Sequence, residues 1–236
     1  MIIPKFILKA TRLIKAIVFD FDGVIIDTET PLFNSWQEIF STYNAHLDIS
    51  ILTKRIGTAE PIDFCQHLED ITGLAFDREK LMTRRRQRYT EMVDAEPLMP
   101  GVDEYINSAQ RHGLSLGVAS SSDEDWIVGH LTERGLIDKF ATVKSRDHVA
   151  HAKPEPDLYL AAVEALSVRP EEAIAIEDSA NGATAAKRAG LYTVVVPNEM
   201  TKNLALDHAD QRLDSLEEMP LARLIQHANG EIWASS

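Results

Sequence analysis

The sequence predicts an α/β fold, a doubly wound parallel sheet interrupted early by an all-helical insertion, and three observations carry that prediction. Ala16 to Phe19 is an apolar run short enough for a fully buried strand. From Pro100 onward, short apolar runs alternate with helix-compatible segments closed by Gly or Pro. Between these regions, residues 30–95 hold amphipathic helical patterns and no strand signal. The expected organisation is a core formed by 1–29 and 96–236, with a helical domain at 30–95.

The elements follow in order. After the first strand, Phe33, Trp36, Ile39, Phe40 and Tyr43 recur at spacings of three and four, which describes one helix with an aromatic core face. Further helices are expected at roughly 60–70 and 77–93, separated by Gly57 and Gly73. A helix over 101–111 ends near Gly113 and leads into a strand at Leu114–Ala119, which runs into Ser120-Ser121-Ser122. A helix at 123–134 stops at Gly135, and 141–143 is a short strand. A loop carries Lys153-Pro154, and a helix at 157–166 starts just behind the prolines. Ala173–Ile176 is a buried strand ending in Glu177-Asp178. A helix at 180–189 stops at Gly190, and Thr193–Val196 is a strand ended by Pro197. Strands alternating with helices imply right-handed crossovers and a sheet covered on both faces.

The 236 residues suffice for one large domain with an insertion, and 44% hydrophobic with 26% charged residues is ordinary for a globular protein. A formal charge of −13 argues against nucleic acid and suits a small cation or a metal-complexed anion. Cys65 is the only cysteine, so an internal disulfide and a zinc site built on two thiolates are excluded. No run reaches the roughly 18 apolar residues of a membrane span. Near the start, lysines at 5, 9 and 15 and Arg12 break the apolar run, which reads as a surface extension rather than a signal peptide. The expected location is the cytoplasm, and the expected state is a monomer or weak dimer.

Asp20 and Asp22 stand two residues apart just past the first strand, a spacing that points both carboxylates the same way in an extended segment. They are either solvated turn acids or a pair that needs a cation or a proton to offset their charge. Ser120 and its neighbours and Glu177-Asp178 also follow strand ends, where open α/β sheets place their ligand crevice. Carboxylates, hydroxyls and Lys153 gathered there suit a hard divalent cation such as Mg²⁺ and a phosphoryl group. An aspartate can serve as nucleophile through an aspartyl-phosphate, and a second can move the proton.

Asp-Phe-Asp-Gly-Val at 20–24, Ser120 after an apolar strand, Lys153-Pro154 and Glu177-Asp178-Ser179 resemble, in order and spacing, the four motifs of the haloacid dehalogenase superfamily. The core it implies is Rossmann-like, and the helical insertion after the first motif is similar to the α-helical cap of the branch containing β-phosphoglucomutase and phosphoglycolate phosphatase. The resemblance implies Asp20 as nucleophile and Asp22 as acid/base. It implies Mg²⁺ held by the Asp20 carboxylate, the Asp22 carbonyl and Asp178, with Glu177 in or near its shell. Ser120, Ser121 through its amide, and Lys153 would bind the phosphoryl group. Members that break carbon–halogen or carbon–phosphorus bonds generally lack the second aspartate, so Asp22 favours phosphate esters. The implied activity is a Mg²⁺-dependent phosphatase acting on a small, sugar-phosphate-like metabolite; the alternative is a β-phosphoglucomutase-like isomerase. Leu32 stands where the mutase has a histidine, and Thr58-Ala59-Glu60 follow the cap glycine where it has an arginine. Both departures weaken the isomerase.

Trp36, Arg55, Gly57 and Thr58 are the candidate cap contacts to substrate, Trp36 being equally readable as core. In the basic run Thr83 to Arg88, the residues spread around a helix and read as solvated, or one of Arg84 and Arg85 faces the crevice and meets a second anionic group. His148 and His151 read as loop residues.

Overall fold

The computed structural model describes residues 13–53, 55–59 and 62–231; the first twelve residues of the extension lie outside them. Six strands, β1 (Ala16–Phe19), β2 (Ser115–Ala119), β3 (Thr142–Lys144), β4 (Ala173–Glu177), β5 (Tyr192–Val195) and β6 (Gln211–Arg212), form one sheet in the order β3-β2-β1-β4-β5-β6. Every pairing is parallel. The sheet is Rossmann-like, with β1 near its middle, where both faces are shielded and an unbroken apolar run costs nothing.

Side chains alternate between the two faces, and the faces differ in bulk. Ile17, Phe19, Leu116, Val118, Ile174 and Ile176 pack against α5 (Val102–Arg111), α6 (Glu124–Glu133) and α9 (Leu221–Asn229). Ala16, Val18, Ala173 and Ala175 face α7 (Asp157–Ala165) and α8 (Ala180–Ala189), whose Ala185, Ala186 and Ala189 let that helix lie close. Register then aligns the chemistry. Phe19 pairs with Val118 on one side and Ile176 on the other, so the residues that follow leave the sheet at one edge.

Between β1 and α5 the described residues contain four helices and no named strand: α1 (Glu29–Thr42), α2 (Ile49–Thr53), α3 (Phe64–Thr72) and α4 (Arg78–Ala95). Asp63 and Asp77 cap α3 and α4 by accepting from Gln66 N (2.9 Å) and Lys80 N (3.1 Å). The insertion has an apolar cluster of its own, with Trp36 set edge-on to Phe40 and 5.0 Å from Phe64; Met200 of the core joins it. The chain leaves and re-enters the core side by side, Met99 N donating to the Ile25 carbonyl (2.9 Å) beside an Ile26–Leu98 bridge.

Some element boundaries differ from expectation. The third and fifth strands occupy 142–144 and 192–195 rather than 141–143 and 193–196, because the ladder begins where Thr142 meets Gly117 and Tyr192 meets Ile174. The helix expected at 60–70 is α3, set by its Asp63 cap, and residues 60–61 lie outside the described set. Helix α2, strand β6 and helix α9 had no counterpart in the expectation.

Candidate active site

The candidate residues converge at the carboxyl edge of the sheet, around a cavity of about 310 Å³ lined by Asp20, Asp22, Ser120, Ser121, Lys153 and residues of the insertion. Asp20 follows β1, and its amide donates to the Ile176 carbonyl (2.9 Å), which fixes the backbone under the carboxylate. Its Oδ1 accepts from Phe21 N (2.7 Å) and faces Lys153 Nζ at 2.8 Å. No described donor reaches its Oδ2.

Lys153 is buried and bridges two acids, lying 2.6 Å from Glu177 Oε1 as well as 2.8 Å from Asp20. Burial alone would strip its charge; Asp20 and Glu177 outweigh that and push its pKa up, so it remains an ammonium. Asp20 itself is pushed up to about 8, chiefly by burial and then by Glu177, against the opposing pull of Lys153.

Glu177 has both oxygens engaged. Oε1 takes Lys153 and the Tyr159 hydroxyl, and Oε2 takes Ser179 Oγ and Asp178 N (both 3.3 Å). Asp178 differs. Its Oδ2 accepts from Asn198 Nδ2 (2.7 Å), whereas its fully buried Oδ1 has no hydrogen-bond partner among the described residues. Burial, reinforced by Asp20 and Glu177, holds the Asp178 carboxyl well above the usual carboxylate range. Oxygens of Asp20, Glu177 and Asp178 lie within 4.8 Å of one another. Gly23 permits this closeness: at φ +76°, a Cβ there would stand 2.4 Å from Asp178 Oδ2.

Asp22 turns toward the loop after β2. Its Oδ2 accepts from Ser120 Oγ (3.1 Å) and Ser122 Oγ (2.6 Å), and its Oδ1 from Thr28 Oγ1 (2.8 Å) and Trp126 Nε1 (3.1 Å). The sequence reading singled out none of Thr28, Ser122 and Trp126 individually, nor Tyr159 and Asn198. Ser122 was legible as the third serine of its run, and Thr28 lies six residues after Asp22; Trp126, Tyr159 and Asn198 carry no local signal, since they arrive from distant helices and loops.

Of the residues expected from the insertion, Gly57 and Thr58 line the cavity, whereas Trp36 and Arg55 do not. Those two line a second cavity of about 690 Å³ inside the insertion, which shares Glu29, Leu32, Gly57 and Thr58 with the first. Trp36 is 3% exposed and packs as core. The loop at Gly57 is docked on the core: its carbonyl accepts from Ser121 Oγ (3.2 Å), and Asn181 Nδ2 donates to the Ile56 carbonyl (2.9 Å). In the basic run, Arg84, Arg86 and Arg88 are exposed, and Arg88 pairs with Glu38 and Glu91. Arg85 turns inward between the Trp36 and Tyr89 rings and lines the second cavity. His148 caps a short turn through Ser145, and His151 is exposed beside Asp157.

Comparison with known proteins agrees with this geometry. A model of the haloacid dehalogenase-like hydrolases matches residues 17–196. The Bacillus subtilis (strain 168) protein named "Putative phosphatase YhcW" is 44% identical over 219 residues, covering 93% of this chain and all (100%) of that one. Hexitol phosphatase B of Escherichia coli (strain K12) is 31% identical over 224 residues, covering 91% and 98%. Among solved structures, CbbY from Rhodobacter sphaeroides in complex with phosphate superposes with a TM-score of 0.71 at 28% identity, covering 87% of this chain and 96% of that one.

Proposed function

The chain belongs to the haloacid dehalogenase-like hydrolases and is a phosphoric monoester hydrolase, and we propose that it dephosphorylates a small sugar- or polyol-phosphate through an aspartyl-phosphate on Asp20, with Mg²⁺. The observation that carries this reading is the pairing of Asp20, whose Oδ2 no described donor reaches, with Asp22, two residues on and held beside the same cavity by four donors.

In this reading Asp20 Oδ2 attacks phosphorus in line, forming the Oδ–P bond as the ester O–P bond breaks. Asp22 gives the leaving oxygen its proton, then takes one from the water that cleaves the aspartyl-phosphate and restores Asp20. Ser120, the Ser121 amide and Lys153 hold the phosphoryl oxygens, and the Lys153 ammonium favours the ionised form of Asp20 against burial and Glu177. The residues fit a hard cation, since the unpartnered Asp178 Oδ1 is a buried oxygen beside Asp20. Asp20, Asp178 and the Asp22 carbonyl would hold Mg²⁺; Glu177, saturated by protein donors, would support them from behind. When bound, Mg²⁺ supplies neutralisation of phosphoryl charge. The helical insertion, residues 30–95, would act as a cap whose docked Gly57 loop excludes bulk water. Hydrolysis rather than isomerisation is supported by Leu32, an apolar residue on the cavity wall where the mutase has a histidine.

A panel of phosphorylated metabolites, followed for both phosphate and isomerised product, tests the proposal. Phosphate release should require Mg²⁺, stop with a chelator and resume on adding the metal back. Asp20→Asn should lower kcat by about 10³-fold or more while the protein remains folded. Substantial turnover by Asp20→Asn, or isomer without phosphate, overturns it.

A further inference from the structure

The Asp22 carboxylate is held from two sides. Both donors to Oδ2, Ser120 and Ser122, belong to the loop after β2. Of the two donors to Oδ1, Thr28 and the indole N–H of Trp126, the indole leans on one residue of the insertion, Tyr89 of α4. The Tyr89 ring stacks on Trp126 with centroids 5.3 Å apart and planes 10° from parallel. On the core side, the His130 ring meets the indole at 4.2 Å and itself lies over Phe21. The indole is thus wedged between core and insertion, and its one polar atom is spent on Asp22.

We propose that Trp126 is a positioning residue for Asp22, which passes the docking of the helical insertion, through Tyr89, to the carboxylate that moves the proton. This rests on the reading of Asp22 as the acid/base. Ser120 is the donor that must turn to the phosphoryl group. Once it does, Oδ2 is partly released toward the reacting oxygen, and the carboxylate keeps its direction only if Oδ1 stays held. A hydroxyl such as that of Thr28 rotates about one bond, whereas an indole clamped on two sides cannot. Proton transfer needs the carboxylate within hydrogen-bond reach of the ester oxygen, and small misplacements there cost rate. Should the insertion withdraw, Tyr89 leaves the indole and the hold on Oδ1 loosens.

Trp126→Phe keeps the stacking face and deletes the N–H. Leaving groups that need a proton should suffer most: kcat/KM with alkyl phosphates such as glucose 6-phosphate should fall about tenfold. With 4-nitrophenyl phosphate, whose leaving group needs no proton, the loss should stay under about threefold. Tyr89→Leu touches no atom of Asp22; it should show the same preference more weakly, and it tests the same path should Trp126→Phe fail to fold. The double variant should be no worse than Trp126→Phe alone. An unimpaired Trp126→Phe, equal losses on both substrates, or additive losses overturn the proposal. Asp22→Asn separates the two readings: if it hydrolyses alkyl phosphates normally, the acid/base role fails, whereas a defective Asp22→Asn beside a normal Trp126→Phe removes only the positioning role.

Discussion

The sheet edge and the helical insertion face the same cavity but hold their side chains by different means. At the sheet edge the charged groups are buried and locked to one another: Lys153 between Asp20 and Glu177, Glu177 among four donors, Asp178 on Asn198. On the insertion's side, Glu29 at the start of α1 and Arg85 of α4 border the cavities with no such closed set among the described residues, and the Gly57 loop touches the core through a few polar contacts. The contrast teaches a division of labour. Strand ends fixed by register gather the charged groups, whereas the helices of the insertion rest on a small apolar cluster of their own.

The sharpest way to break this comparison is to remove the cation at the centre of the locked set. Lys153→Met leaves Asp20 and Glu177 buried without their shared ammonium. Breaking a buried pair in this way costs about 3–5 kcal/mol, which for a chain of this size lowers Tm by roughly 10 °C. Phosphatase turnover should be lost as well. Thermal melting in chelator checks the first and steady-state assay the second; a variant as stable as the parent would mean that the sheet-edge charges are not locked.

A substitution at the contact between the regions should cost less stability and mainly activity. Gly57 has φ +80°, and a Cβ there would lie 2.3 Å from Ser179 Oγ, the cap of α8. Gly57→Ala must therefore lift the loop from the core. The backbone strain is about 1 kcal/mol, so melting should hardly move, whereas kcat/KM should drop about tenfold because closure is impaired. A Tm loss matching that of Lys153→Met would show that the insertion is as integral to stability as the sheet edge.

How far each region could be read from sequence follows the same division. Asp20, Ser120, Lys153 and Glu177-Asp178 were legible because each ends or follows a short apolar run or sits in a proline-marked loop, and parallel pairing leaves one edge for them to share. Trp36 was ambiguous because an aromatic at helical spacing describes a core face and a cavity wall alike, and it is both: it packs against Phe40 and Phe64 and walls the second cavity. Arg85 was hidden among the three other arginines of its run, and only its place over the Trp36 and Tyr89 rings distinguishes it. Trp126 carried no signal, since its significance lies in touching Asp22 from 104 residues away. Helix α9 could have been anticipated from Leu221, Leu224 and Ala228, which face the core at helical spacing. Strand β6, two residues long, is made by its partner β5 rather than by its own pattern.

The mildest test lies at Glu29, the first residue of α1 and a wall of both cavities. Burial, then Asp22, Asp27 and Asp20, push its carboxyl from 4.5 to about 8. Below pH 4.5 the folded and unfolded chains both carry the proton; between 4.5 and 8 the unfolded chain has released it and the folded one keeps it, so stability falls as pH rises through that window. Glu29→Gln removes this penalty and no other carboxylate. In chelator, its Tm should match the parent near pH 4.5 and exceed it near pH 8 by a few degrees, at about 2–4 °C per kcal/mol. The positive end of α1 favours the ionised form and limits the gain. An unchanged difference across the range would mean that neither burial nor the neighbouring acids hold the Glu29 proton; a growing one would mean that Glu29 sits protonated in a buried wall shared with Asp22, Asp27 and Asp20.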